Sequence, residues 1–97
     1  MPRKKTIPPE SLTLWIKNLP SWKKQILETL AATNRPLTTG EILEAIDYQT
    51  RINTLYNWLA RLERKGLITS MKIFMTNKRA WKIKDEYRET IARTVTQ

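Results

Sequence analysis

The chain has 97 residues, a formal net charge of +9 from 18 Lys and Arg against 9 Asp and Glu, four Trp, and no Cys or His. That length supports one domain with a modest core, and a 40% hydrophobic content argues against disorder throughout. The missing Cys and His remove disulfides, thiolate nucleophiles, the usual zinc ligands and the commonest general base, so no enzyme, metal or cofactor is expected; no apolar run approaches the ~20 residues of a membrane span.

The charge is concentrated. Residues 50–84 hold nine bases and one acid, Glu63, for a net +8. Residues 1–49 carry +2 (seven bases, five acids), and residues 85–97 carry −1 (two bases, three acids). Such crowding costs self-repulsion in the folded state, and a polyanionic partner is the usual reason to keep it.

In chain order, residues 1–9 combine Arg3, Lys4 and Lys5 with Pro2, Pro8 and Pro9, which predicts an extended, mobile basic arm. It is either a frayed terminus or a contact to phosphates or a minor groove. No apolar stretch follows the first basic residues, so a secretion signal is not expected and the cytoplasm is the default location. Residues 10–19 predict a short helix with Leu12, Trp15, Ile16 and Leu19 on its apolar side, ended by Pro20. Ser21 is placed to cap a second helix over 22–33, where Trp22, Ile26, Leu27, Leu30 and Ala31 share a face. Asn34, Arg35 and Pro36 stop it.

Thr38-Thr39-Gly40-Glu41 has the spacing of a capping box, with Thr at the cap and Glu three residues on. It opens a short helix over 41–46, followed by a turn at 47–50. The next helix is the plainest: Ile52, Leu55, Leu59 and Leu62 form an apolar seam. Arg64 and Lys65 fill its last turn, where the helix dipole favours cations, and Gly66 supplies the left-handed cap. A hairpin follows, with strands over 67–75 and 79–84 joined by a turn at Thr76, Asn77 and Lys78. In its second strand Trp81 and Ile83 alternate with Ala80, Lys82 and Lys84, giving one apolar and one basic face. Residues 85–95 close as an amphipathic helix carrying Tyr87, Ile91 and Val95.

Three segments of this order resemble a winged helix-turn-helix of the MarR and BlaI type: EILEAI at 41–46, LARLERKGLI at 59–68 and NKRAWKI at 77–83. The resemblance spans residues 21–84 and departs from the family in lacking a wing-tip Gly. It implies an α+β, mostly α domain: a three-helix core plus a β-hairpin wing, with additional N- and C-terminal helices at 10–19 and 85–95. It further implies that the long helix enters the major groove and the wing touches the flanking backbone.

The residues themselves support the same reading. Opposite the seam lie Asn53, Asn57, Arg61 and Arg64, with Thr54 beside them, and Asn and Arg suit adenine and guanine edges. Groove-inserted helices lead with their N-terminal half. Arg51, Asn53, Thr54 and Asn57 are therefore assigned to base edges, and Arg61 and Arg64 to phosphates. Lys72, Lys78, Arg79, Lys82 and Lys84 are assigned to phosphates from the wing, although Lys on an exposed hairpin also guards its edge. Glu41 is engaged by the cap, which leaves Glu44 without a partner for acid–base chemistry.

The function expected is a sequence-preferring binder of double-stranded DNA, most simply a transcriptional regulator. Its rivals are a general, architectural or ribosome-associated nucleic-acid binder and a winged-helix protein-interaction module. A homodimer is expected through Trp15, Tyr87, Ile91 and Val95 on the terminal helices, on the ground that a small core does not bury both stripes completely; the alternative is that both helices simply cover the domain's own core.

Overall fold

The computed structural model describes residues 7–76 and 78–95. Among these residues five helices and three short strands follow in the order α1 (Pro9–Lys17), α2 (Ser21–Ala32), β1 (Leu37–Thr38), α3 (Thr39–Ala45), α4 (Ile52–Lys65), β2 (Ile68–Lys72), β3 (Arg79–Ile83) and α5 (Asp85–Val95). This is the mostly helical winged-helix architecture that the pattern of residues implied.

Helix α4 forms because Leu55, Leu59 and Leu62 recur on one face, and all three are buried. The seam is not quite the one expected. Ile52, its predicted first member, is 49% exposed, and Trp58 is buried in its stead. Ile52 is the first helical residue, so it projects past the last layer of the core. At the other end Gly66 takes φ 92°, and its N–H donates to the Leu62 and Glu63 carbonyls. Only a residue without a β-carbon does this without strain.

The sheet is antiparallel in the order β1-β3-β2. Strand β1, two residues pairing Leu37 with Trp81 and Thr38 with Ala80, was not anticipated. It fastens the segment before α3 to the wing. Trp81 sits at the sheet's centre, 1% exposed, and donates its indole N–H to Thr39 Oγ1 at 2.9 Å. The capping box is present in both halves: Thr38 Oγ1 accepts from the Glu41 N–H, and the Glu41 carboxylate accepts from the Thr38 N–H. Ser21, in contrast, is the first residue of α2 and not its cap; Pro20 occupies the cap position, and no side chain bonds the free N–H groups.

Helix α5 lies against both α1 and α2. Arg88 reaches from it to the Ala31 and Thr33 carbonyls at 3.1 and 2.9 Å, closing the C-terminus of α2. Tyr87 and Ile91 are buried in the same core as Leu12, Ile16 and Leu27. That corrects the expected dimer surface: two of its four residues are consumed inside the chain, while Trp15 and Val95 pack partly buried at the core's margin. The hydrophobic stripes of α1 and α5 cover one another, which a count of apolar residues cannot reveal. The described end of the expected arm is likewise docked. Ile7 packs on the core and donates its N–H to the Tyr87 hydroxyl at 3.1 Å, and Pro9 already belongs to α1.

Ile91→Ala should therefore lower the stability of a single copy by about 2–5 kcal/mol, the usual loss for emptying a core site. Urea unfolding at two protein concentrations checks this. The same midpoint shift at both is expected, whereas a residue on a dimer face would give a shift that depends on concentration.

Candidate nucleic-acid interface

Helix α4 presents the polar residues opposite its seam to solvent. Arg51 stands at its N-cap with extended backbone, and Asn53, Thr54, Asn57, Arg61 and Arg64 are all exposed along it. The ridge is flanked by two clefts. On the wing side, Ile52, Asn53 and Tyr56 meet the start of α3 (Thr38, Thr39, Gly40) and the wing cations Lys78 and Arg79 around a cleft of about 300 Å³. On the other side, Thr54, Asn57 and Arg61 meet Trp22, Lys23 and Trp58 around one of about 280 Å³. The residues expected to face bases thus divide: Asn53 borders the first cleft, Thr54 and Asn57 the second.

Strand alternation divides the wing's cations as well. Ile68, Ser70 and Lys72 share one face of the hairpin with their cross-strand partners Ile83, Trp81 and Arg79. That face looks toward the helices. Tyr56 meets the Trp81 ring edge-on at 5.5 Å, the Ser70 hydroxyl donates to the Glu63 carboxylate, and Arg79 donates to Ser70 Oγ at 3.1 Å. Lys82 lies on the opposite face with Thr69 and Met71. Lys84 follows it beside Asp85 and Glu86. An ideal β-carbon at Gly66 would lie 4.0 Å from Lys84 Nζ, so this ammonium stands at the C-terminus of α4, where it offsets the helix dipole. The five wing bases read as one set in the sequence are two sets in space: Lys72 and Arg79 share the helix-facing side of the hairpin, Lys78 and Arg79 border the cleft beside the polar ridge of α4, and Lys82 and Lys84 lie away from that ridge.

The sequence reading missed the contribution of α2. Lys23 Nζ lies 5.4 Å from the ring centroids of both Trp22 and Trp58, and Trp22 stacks on Tyr48 at 5.1 Å with 12° between the planes. An aromatic stack therefore carries a cation beside Asn57 and Arg61. A signal for it existed. Lys23 and Lys24 sit in the first turn of α2 with no acid among them, the end of a helix where cations are locally unfavourable. Lys65 is drawn the other way, its ammonium 4.9 Å from the Trp15 ring. Arg3, Lys4 and Lys5, the expected arm contacts, lie outside the described residues.

The turn into α3 is held by charge. Arg35 bonds Glu41 at 3.0 Å. That guanidinium, and then the Thr38 N–H, hold the Glu41 carboxyl at about 2, against an ordinary value of 4.5. Among the described residues, no helix is long and apolar enough to cross a membrane.

The sequence matches no family model. No characterised protein resembles it significantly in sequence either. Comparison of structures finds winged-helix transcription regulators. The S. aureus MepR–DNA complex superposes with a TM-score of 0.68 at 20% identity, over 91% of this chain and 71% of MepR. A putative MarR-like regulator from Bacillus cereus gives 0.66 at 11% identity, over 91% and 61%. The zinc-responsive MarR family member ZitR of Lactococcus lactis gives 0.62 at 18% identity, over 90% and 67%. The fold is that of MarR-type winged-helix regulators, and the chain spans 61–71% of the length of these three.

The Glu41 carboxylate supplies a pH test of the helix-turn-helix entry. Its folded value is depressed, so its contribution to stability is complete above about 4.5 and is lost as pH falls from there through about 2. Glu41→Gln should therefore unfold at lower urea than the unaltered chain at pH 7. The gap should close as pH is stepped from 5 toward 2. A gap that stays constant over that range would place the stabilisation elsewhere.

Proposed function

We propose that this chain binds double-stranded DNA with sequence preference and acts as a transcriptional regulator, with α4 in the major groove and the wing on the adjacent backbone. One observation carries the reading: the exposed Asn, Thr and Arg ridge of α4 is bordered by cations on both flanks, Lys78 and Arg79 on one and Lys23 on the other. A groove-inserted helix needs that arrangement, because base edges lie between two phosphate strands. The likeness in fold to MepR, a regulator crystallised on DNA, supports it. In this reading Arg51, Asn53, Thr54 and Asn57 face base edges. Arg61, Arg64, Lys72, Lys78 and Arg79 meet phosphates, and Lys82 and Lys84 do not.

Selection of bound duplexes from a random pool, followed by a salt titration on the best of them, tests the proposal. With about five phosphate contacts, log K should fall against log salt with a slope of roughly −4.5. A slope shallower than about −2, or no duplex binding at low salt, sinks it.

Substitutions should separate by place. Asn57→Ala should relax preference at one or two base pairs and cost about 1–3 kcal/mol on the best site. Lys78→Ala should weaken all sequences alike and make the slope shallower by about 1, while Lys82→Ala leaves the slope unchanged. An unaltered preferred sequence in Asn57→Ala means that α4 is not the reading helix.

A further inference from the structure

The hairpin tip carries residues opposite in kind to those that turns usually hold. The turn runs over Ile73–Thr76, closed by the Thr76 N–H on the Ile73 carbonyl at 3.1 Å, and so begins before the turn expected at 76–78. Its two central residues are Phe74 and Met75, each 87% exposed. Gly, Asn or Asp is the ordinary choice there. Met75 moreover adopts φ 62°, a left-handed conformation that is costly for any residue with a side chain. The domain gains no core from either residue.

The loop is nonetheless well fastened. The Thr76 hydroxyl donates to the Ile73 carbonyl at 2.9 Å and accepts from the Lys78 N–H at 3.2 Å. The Ile73 N–H bonds the Lys78 carbonyl at 3.0 Å, closing the base. Phe74 and Met75 are thus held out from the body on an anchored turn. Beneath them Lys72 faces Arg79 across the ladder, Lys78 adjoins, and no acid occurs from residue 64 to 84. The tip is an apolar point in a cationic collar.

We propose that this tip is a wedge: Phe74 and Met75 enter the minor groove next to the major groove held by α4 and prise open a single base-pair step, bending the duplex. The proposal rests on the DNA-binding reading above. A minor groove is walled by two phosphate strands, which the collar of Lys72, Lys78 and Arg79 suits, and Phe and Met are among the side chains that unstack a step and kink the helix. Pyrimidine–purine steps open most readily, so the wedge adds sequence preference at a position where no side chain bonds a base. A lipid surface would also attract an apolar tip with basic flanks. The wing-side cleft, however, joins Lys78 and Arg79 to Asn53 and Tyr56 on α4, so a duplex on α4 runs past the tip, whereas a flat membrane at the tip leaves the ridge of α4 unused.

The test uses duplexes enriched from a random pool, end-labelled for energy transfer and carrying 2-aminopurine at successive positions. The unaltered chain should bend them by roughly 20–90° and raise 2-aminopurine fluorescence at one step outside the α4 contacts. The double variant Phe74→Ala with Met75→Ala should keep its circular dichroism and its salt slope, yet lose both the bend and the fluorescence rise. A bound but straight duplex with flat fluorescence overturns the wedge and leaves the DNA reading standing, as does a double variant that bends DNA as well as the parent. Binding to phosphatidylserine–phosphatidylcholine vesicles that the double variant loses, with bending unchanged, assigns the tip to lipid and overturns the wedge. Absence of any duplex binding at low salt removes the DNA reading and the wedge together.

Discussion

The geometry of the surface hangs on the burial of one side chain, Trp81. Its indole is nearly inaccessible, and its N–H finds an acceptor in Thr39, the first residue of α3. Without that hydroxyl a buried donor would go unsatisfied, at a cost of about 1–3 kcal/mol. The same ring takes the edge of Tyr56 from α4 and pairs in the sheet with Leu37 on one side and Ser70 on the other. One residue therefore fixes the wing against the two helices of the helix-turn-helix. The cleft between Lys78, Arg79 and Asn53 keeps its shape for that reason. A flexible hairpin bearing the same charges would attract a polyanion but could not hold it in register with α4.

The single acid of the basic stretch serves the same end. Glu63 receives the Ser70 hydroxyl, and Arg79 donates to that oxygen in turn. Arg79 is thereby oriented by a relay that begins on α4, and an ordered guanidinium forfeits less entropy on meeting a phosphate than a free one. The cost is local: a carboxylate placed in a positive field reduces it slightly. Lys84 answers a different need, at the C-terminus of α4. Counting charges gives the sign of the field, but which charges share a face is decided by the pleat.

How much of this was legible follows from the range of each signal. The capping box at Thr38 and Glu41, the seam through Leu55, Leu59 and Leu62, and the Gly66 stop are local patterns, and each appears as read. Strand β1 escaped because two residues carry no periodicity; Leu37 and Thr38 become a strand only when Trp81 lies beside them. Lys82 was grouped with Lys78 and Arg79 on sequence proximity, although its alternation with Trp81 already placed it on the far face. Ile73 to Met75 read as strand because they are β-formers, and the turn overrides that propensity. The stripes of α1 and α5 were visible, but an apolar stripe does not name its partner. Here each covers the other, and the core takes in Tyr87 and Ile91.

Helix α2 joins the two ends of the molecule. Its C-terminus is closed by Arg88 from α5, itself steadied by Asp85 at 3.7 Å, and Ile26, Leu27 and Leu30 bury its inner face. Its N-terminus carries Trp22 and Lys23 against Trp58 beside the ridge of α4. At 1.5 Å per residue its twelve residues make a strut of about 18 Å. Its first turn has no side-chain cap. An Asp cap, or a Glu in the first turn, would stabilise the helix locally and also place negative charge next to Asn57 and Arg61. The chain instead leaves that end positive and recovers the stability from the aromatic stack and from Arg88 at the far terminus.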